Sequence, residues 1–299
     1  MTVRSVGPKQ RAAWLSVAAN AVAVLVKFAT AFVTGSSAIL SEAAHSTGDL
    51  TASVIALLSV RAADRPPDPG HPFGHQKFEH VSGVVEGAMI VVAAGAVAVL
   101  ALSSLGDPID HGAAGVVVML GAAIANVLVA RRLRMVARET QSAALDADAA
   151  HLSADVVTSL GAAAALLLVA ATGIRQLDGI VACLIAVFVA RTGVGLVVRG
   201  ARVLVDEAVP EAEVAVIHEV LERSRADGVV GYHRLRARRA GAVRHVDLHL
   251  MLDPTMSVSR AHDITDAIEE ELETRLGHTD VVIHIEPATH EPEQDSSLL

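Results

Sequence analysis

Two apolar stretches of the chain each carry a histidine and an aspartate four residues apart. His45 precedes Asp49 in the first stretch, and His151 precedes Asp155 in the second. Because an α-helix turns once in about 3.6 residues, each pair projects from one face of its helix. If the two helices meet, two imidazole nitrogens and two carboxylates form a tetrahedral set that suits Zn²⁺. Two aspartates would also cancel the charge of the bound dication.

A buried histidine or aspartate can instead serve only to satisfy its polar neighbours. That explanation weakens when the same spacing occurs twice, because an ionisable group inside a membrane span is itself a candidate functional residue. Asp146 and Asp148 are interpreted as solvated charges at a helix end, with a cation-attracting vestibule as the alternative. Other polar residues within the spans are predicted to face the bundle interior or to reach the interface: Lys27, Glu42, Glu86 and Asn126.

The composition indicates a protein whose solvent is largely lipid. Of 299 residues, 52% are apolar and 19% are charged, whereas a soluble domain carries about 25% charged residues. The net charge of −9 and the 2% of aromatic residues argue against a nucleic-acid partner. The single cysteine, Cys183, excludes internal disulfides and a cysteine-rich zinc site.

Six apolar stretches are long enough to cross a bilayer as helices, which takes about 20 residues. They form a predicted transmembrane domain over 12–205, after an N-terminal segment 1–11. Basic residues cluster before the first stretch and after the second, fourth and sixth, so both termini are predicted to be cytoplasmic in a multi-pass protein of the inner (plasma) membrane. The six stretches lie near residues 12–34, 37–60, 81–105, 113–134, 145–171 and 177–198.

From about residue 206 the sequence reads as a soluble domain. The pattern over 206–287 predicts the order αββαβ, with strands around 229–237 and 243–252 and a second helix opened by Ser257 as its N-cap. We therefore predict a cytoplasmic α+β domain of the ferredoxin-like or metallochaperone-like kind. Residues 288–299 are predicted to be a disordered tail.

Strict alternation along two of these strands separates apolar from metal-capable side chains. In RHVDLHL, His245, Asp247 and His249 share one strand face, and in DVVIHIEP, His284 and Glu286 share one. One face of the sheet is thus expected to pack on helices, and the other to carry groups that can bind a metal.

The repeated HxxxD motif, the six predicted spans with both ends inside and the αββαβ domain together resemble the cation diffusion facilitator family. The resemblance covers roughly residues 10–287 and is strongest to bacterial zinc exporters. It implies a homodimer in which each protomer exchanges a cytoplasmic divalent cation for protons. The donor set at the two motifs implies Zn²⁺ with Cd²⁺ tolerated, and Co²⁺ and Fe²⁺ remain alternatives.

The resemblance also implies sites outside the membrane. Asp68, His71 and His75 match a DxxHxxxH zinc cluster of the family, although by spacing alone a solvated loop fits as well. Lys77 and Asp206 match a charge interlock near the junction of membrane and cytoplasm, with two solvated charges as the alternative. Regulatory zinc ligands of the cytoplasmic domain are implied at His233, His249, His262, His284 and Glu286.

Two residues of the cytoplasmic domain depart from the family pattern. Glu286 stands where an aspartate is usual, so its extra methylene group is expected to alter the geometry or to cost one ion of a paired site. His245 has no counterpart in the family and is predicted to be an exposed strand residue.

The predicted mechanism is alternating access driven by protons, because only neutral imidazole can bind a metal and protons compete for the same nitrogens. A membrane metallohydrolase is one rival. The chain lacks an HExxH motif, and four protein ligands leave no coordination position for a catalytic water. A membrane-anchored metal sensor that moves nothing is the second rival, and metal flux in proteoliposomes distinguishes it from a transporter.

Overall fold

The computed structural model describes residues 7–35, 37–103, 113–174 and 176–288. It forms two compact units, Met1–Ala201 and Arg202–Leu299. Residues 1–6 of the predicted N-terminal segment, residues 104 and 105 of the third predicted span, and all of the predicted tail except Ala288 lie outside the described residues.

The first unit consists of long helices of 26 to 30 residues. α1 begins at Pro8, earlier than the predicted span, and ends at Thr34. Gly35 caps it with a φ of 66°, the left-handed conformation that glycine adopts without strain. The helices are α1 (Pro8–Thr34), α2 (Ser37–Ala63), α3 (Phe78–Ser103), α4 (Ala113–Thr140), α5 (Ala143–Thr172) and α6 (Gln176–Leu204).

Among the described residues, four of these helices are long and apolar enough to cross a membrane: α1, α3, α5 and α6. α2 falls short because Glu42, His45 and Asp49 interrupt its apolar sequence. The helical membrane domain is thereby established with four candidate spans, whereas the six-span topology stays a prediction.

α5 lies at the centre of the helical unit, because two apolar clusters meet on it. On one side Leu145 and Leu152 pack with residues of α1, α2 and α4. On another side Ala147 and Ala154 pack with residues of α3 and α6, including Ile90. Polar side chains that α5 carries between these clusters are therefore removed from the surface.

The N-terminus of α5 is tied to two other helices. Ser142 caps α5 by accepting a hydrogen bond from the backbone N–H of Leu145 (3.4 Å), and its hydroxyl donates to Glu79 of α3. Glu79 in turn accepts a bond from Lys9 Nζ of α1 at 3.0 Å. Three helix ends thus share one buried carboxylate.

Glycines allow α3 and α6 to approach closely. A Cβ atom on Gly87 would lie 2.7 Å from the carbonyl oxygen of Gly193, and a Cβ on Gly193 would lie 2.7 Å from the carbonyl oxygen of Gly87. No larger residue fits there without moving a helix backbone, which is the role that small residues play between membrane helices.

The second unit has the predicted order αββαβ. Its elements are α7 (Glu211–Arg223), a short 3₁₀ turn (Ser224–Asp227), β1 (Val229–Ala240), β2 (Val243–Leu252), α8 (Val258–Leu276) and β3 (Thr279–Pro287). The strand order is β1-β2-β3, with β1 and β2 antiparallel and β2 and β3 parallel. Ser257 caps α8 as predicted, its Oγ accepting from the backbone N–H of Arg260 at 3.2 Å.

Side chains from the two helices and from one face of the sheet form the core of this unit. Val246, Leu248 and Leu250 of β2 are buried on this face, as the alternation predicts, and pack with Ile217 of α7 and Ile268 of α8. The opposite face of β2 is left to its polar residues.

Candidate metal centres

The first cluster lies inside the helical unit, where the packing of α2 against α5 brings both HxxxD pairs together. His151 Nε2 lies 3.3 Å from Asp49 Oδ1 and 4.0 Å from Asp155 Oδ2. His45 Nε2 lies 3.8 Å from Asp49 Oδ1 and 4.0 Å from Asp155 Oδ1. Each of the two imidazoles therefore lies within 4.0 Å of both carboxylates.

One part of this cluster is buried and another part is exposed. Asp49 and His151 are buried, whereas half of the His45 side chain (50%) is exposed on the surface of the protein. The ligand-capable atoms of His45, Asp49 and Asp155 lie within 4.8 Å of one another. Mixed nitrogen and oxygen donors at such separations suit Zn²⁺ and similar divalent ions, which draw ligands in to about 2.0–2.2 Å.

The second cluster lies in the loop between α2 and α3. Asp68 Oδ1 accepts from the backbone N–H groups of Gly70 (2.9 Å) and His71 (2.7 Å). Its Oδ2 lies 3.2 Å from Nε2 of His75, which is buried. The hydrogen bond from the His71 backbone lowers the pKa of Asp68, and this effect exceeds the opposing effect of desolvation. The carboxylate is thus held ionised beside two imidazoles.

The third cluster lies on the polar face of the small sheet. The strand register aligns His233 of β1, His249 of β2 and His284 of β3 in one row. His233 Nε2 donates to Glu286 Oε2 (2.9 Å) and His249 Nδ1 donates to Oε1 (2.7 Å), while His284 Nε2 lies 3.6 Å from Oε1. The hydrogen bonds from His233 and then from His249 lower the pKa of Glu286 to about 2.

Two predicted site residues outside the membrane, His262 of the third cluster and Asp206 of the charge interlock, have other contacts. His262 projects from α8, is 71% exposed, and has its Nδ1 3.3 Å from Asp266 Oδ1. Asp206 Oδ1 accepts from Nη1 of Arg238 at 3.1 Å within the second unit, whereas Lys77 belongs to the first unit. Within one protomer the structure does not bring His262 to Glu286, and the Lys77–Asp206 interlock stays a prediction.

Three sequence interpretations need correction or completion. His245 is not exposed: it is buried, with Nδ1 3.1 Å from Asp280 Oδ2 of the neighbouring strand. Asp148 is not a solvated helix-end charge either, because the central position of α5 buries it completely. Asp146, two residues earlier, is exposed as predicted. Glu86 faces the bundle interior, and its position in the middle of an apolar stretch was the signal that could have singled it out.

A bundle of apolar helices around a histidine–aspartate cluster, joined to a soluble domain with a second such cluster, defines a membrane protein that handles metal cations. The comparison with family models is specific. Residues 13–205 match the cation efflux transmembrane domain, and residues 209–288 match the cytoplasmic domain of cation efflux proteins. The chain belongs to the cation efflux family, also called the cation diffusion facilitators.

Full-length relatives support the same assignment. An uncharacterised transporter of Synechocystis sp. is 33% identical over 96% of this chain and 92% of its own length. The cation-efflux pump FieF of Pectobacterium atrosepticum is 31% identical over 95% of both chains. Metal tolerance protein C1 of Arabidopsis thaliana is 31% identical over 88% of this chain and 59% of its own.

The family resemblance seen in the sequence is thereby confirmed, and the chain is a multi-pass membrane transporter for metal cations. Because members of the family are transporters, the metallohydrolase alternative loses its support. The second domain is the family's cytoplasmic dimerisation domain.

Proposed function

We propose that this protein exports divalent cations, Zn²⁺ in the first place, from the cytoplasm in exchange for protons. The observation that carries the proposal is the convergence of His45, Asp49, His151 and Asp155 from two packed helices. With neutral imidazoles, the two carboxylates balance the charge of a bound dication. The occupied site then has no net charge, which lowers the free-energy cost of holding the ion inside the membrane.

Proton coupling follows from the chemistry of the same ligands. An imidazolium cannot bind a metal, so cytoplasmic Zn²⁺ displaces protons when it enters, and protons from the other side displace the metal when the site opens outward. The site thus alternates between two faces of the membrane, with six spans and both termini in the cytoplasm. Cd²⁺, Co²⁺ and Fe²⁺ are the alternative substrates.

The two outer clusters have regulatory and structural roles in this proposal. Asp68, His71 and His75 bind zinc in the loop, and His233, His249, His284 and Glu286 bind it in the cytoplasmic domain of a homodimer. His262 would complete that site from the partner subunit, since its contacts within one protomer lead elsewhere. Lys77 and Asp206 pair at the junction with the membrane.

Metal flux into proteoliposomes tests the transport site. We expect Asp49→Ala and Asp155→Ala to reduce Zn²⁺ flux by about tenfold or more, because each removes a ligand and half of the compensating charge; even changes outside the ligand shell cost metal sites about 10–100-fold. Asp146→Ala is the matched control, an exposed aspartate of the same helix. Normal flux in both ligand variants would refute the site, and absence of flux in the wild type would favour the metal sensor.

A further inference from the structure

Two carboxylates outside the four proposed metal ligands are completely buried in the helical unit. Glu86 of α3 and Asp148 of α5 each have 0% of their surface exposed. Ser82 Oγ donates to Glu86 Oε1 at 2.8 Å. Among the described residues, Glu86 Oε2 has no hydrogen-bond partner, and the Asp148 carboxylate interacts with the buried Ser16 hydroxyl of α1 without a well-aligned hydrogen bond. Buried polar atoms are nearly always satisfied, so two buried carboxylates with so few partners point to something that they bind.

The two carboxylates lie on helices that are in contact with each other, close to both residues. A Cβ on Gly83, three residues before Glu86, would lie 3.8 Å from the Cβ of Ala147, the neighbour of Asp148. The charges of Glu86 and Asp148 repel each other, and a positive charge on His151 attracts both. Asp148 precedes His151 by three residues, about one helical turn. The pair is therefore electrostatically linked to the transport site.

Several charged groups on the surrounding helices contact partners other than Glu86 and Asp148. Lys9 of α1 bonds to Glu79 of α3, Arg134 of α4 donates to Ser153 (3.0 Å), and Asp49 of α2 contacts His151. Arg191 and Arg199 of α6 are exposed. The described contacts thus give the two carboxylates no resident cation, although two ionised carboxylates in so apolar a place repel each other strongly.

A proton fits this place better than a metal ion does. A divalent cation takes four or more ligands in proteins, about four for Zn²⁺ and six for Mg²⁺. The metal-capable clusters formed by the described residues include neither Glu86 nor Asp148. One proton bound to either carboxylate removes the repulsion between the two charges and needs no further ligand.

We infer that Glu86 and Asp148 form a proton-binding site, separate from the metal ligands, that holds one proton when the transport site is empty and releases it when metal binds. The step breaks one carboxylic O–H bond, the electron pair stays on the carboxylate, and the proton passes to water on the cytoplasmic side. The driving force is the positive charge of the metal about one turn away. This inference rests on the proposed antiport and adds a carrier for one of its protons.

Calorimetry of the full-length protein in detergent tests the inference. Zinc titrations in buffers of different ionisation enthalpy give the number of protons released per bound Zn²⁺. The double variant Glu86→Gln/Asp148→Asn keeps the side-chain shapes but cannot ionise. We expect it to bind the same number of zinc ions and to release fewer protons per ion, by up to about one. Asp146→Asn, an exposed neighbour on α5, should match the wild type.

Each alternative result has a distinct meaning. Equal proton release in the double variant and the wild type, with zinc flux intact in both, would overturn the proton site and leave the proposed transport function standing. Loss of one equivalent of bound zinc would show a metal site instead, which also overturns it. Absence of zinc flux in the wild type would instead defeat the proposed function.

A second measurement tests the inference even if the double variant does not fold. Infrared difference spectra of the wild type should show a protonated carboxyl band that disappears when Zn²⁺ is added and shifts in D₂O. The single variants Glu86→Gln and Asp148→Asn should each alter this band, and Asp146→Asn should not. A wild-type spectrum without such a band would overturn the inference.

Discussion

At the scale of single residues, the geometry separates ligands that are held in place from one that is not. Asp49 and His151 are buried and in contact, whereas His45 is half-exposed and lies 3.8 Å from its nearest carboxylate. A side chain with such freedom adjusts most to the size of the ion. We therefore expect His45 to influence which metal is accepted more than whether one binds.

The variant His45→Asp tests that expectation. An added carboxylate makes the site harder and more anionic, which disfavours softer ions. We expect the ratio of Cd²⁺ to Zn²⁺ flux to fall several-fold in proteoliposomes while the amount of folded protein stays the same. A ratio equal to that of the wild type would argue against His45 as a direct ligand.

Glu286 makes the metal-free cytoplasmic domain sensitive to acid. Its pKa is lowered from an ordinary value of 4.5 to about 2 by hydrogen bonds from His233 and His249. A group whose pKa is lower in the folded state stabilises that state above its unfolded pKa, and the contribution is lost as the pH falls. We expect the free energy of unfolding to decline between about pH 4.5 and about pH 2.

Urea titrations of the fragment 206–299 across this pH range give the measurement, since that unit has a hydrophobic core of its own. Glu286→Gln should flatten the decline, because the amide does not titrate. Asp247→Asn, on the same sheet face but exposed, is the control. An equally steep decline in Glu286→Gln would contradict the role of the two histidine hydrogen bonds.

At the scale of helices and strands, glycine residues allow the close approach of α3 and α6. A leucine at position 87 would place its Cβ 2.7 Å from the carbonyl oxygen of Gly193, which is closer than van der Waals contact allows. We expect Gly87→Leu to destabilise the protein by about 1–3 kcal/mol, the usual cost of overpacking. Thermal unfolding in detergent measures this, with Gly95→Leu as control, since no atom lies within 4 Å of a Cβ there.

Element order was predictable from sequence where a single periodicity dominates. The alternation in β2 and the Ser257 cap predicted the αββαβ domain, and the structure confirms both. The burial of Asp148 and His245 was not predictable, because it depends on which neighbours surround α5 and β2. For Asp148, the hydropathy of one stretch does not indicate how many helices pack around it. For His245, burial depends on the register of β3 with β2, which is set by tertiary contacts.

At the scale of the whole molecule, the proposed zinc sites of the dimerisation domain link cytoplasmic metal to assembly. A ligand that binds only the folded, paired state stabilises it, by about 2.7 kcal/mol at 100 times its dissociation constant. We expect the fragment 206–299 to gain that much from Zn²⁺ at neutral pH. The gain should diminish below a pH of about 6.5, where free imidazole protonates.

His284→Ala should remove much of this stabilisation, and full-length protein with the same change should still transport zinc. The melting temperature with and without Zn²⁺ gives the first result and proteoliposome flux the second. His218→Ala is a suitable control, since His218 contacts Tyr232 rather than the histidine row. A fragment that melts at one temperature regardless of zinc would refute the regulatory site.

The carboxylate shared by three helix ends sets a mechanical condition on the transport cycle. Lys9, Glu79 and Ser142 join the starts of α1, α3 and α5, so these ends form one rigid joint. If the membrane cluster opens toward this end, the three helix ends must move together. Otherwise a buried ion pair breaks and α5 loses its cap. Since α5 supplies His151 and Asp155, the tilt of α5, and with it the position of these two ligands, follows the movement of the three joined helix ends.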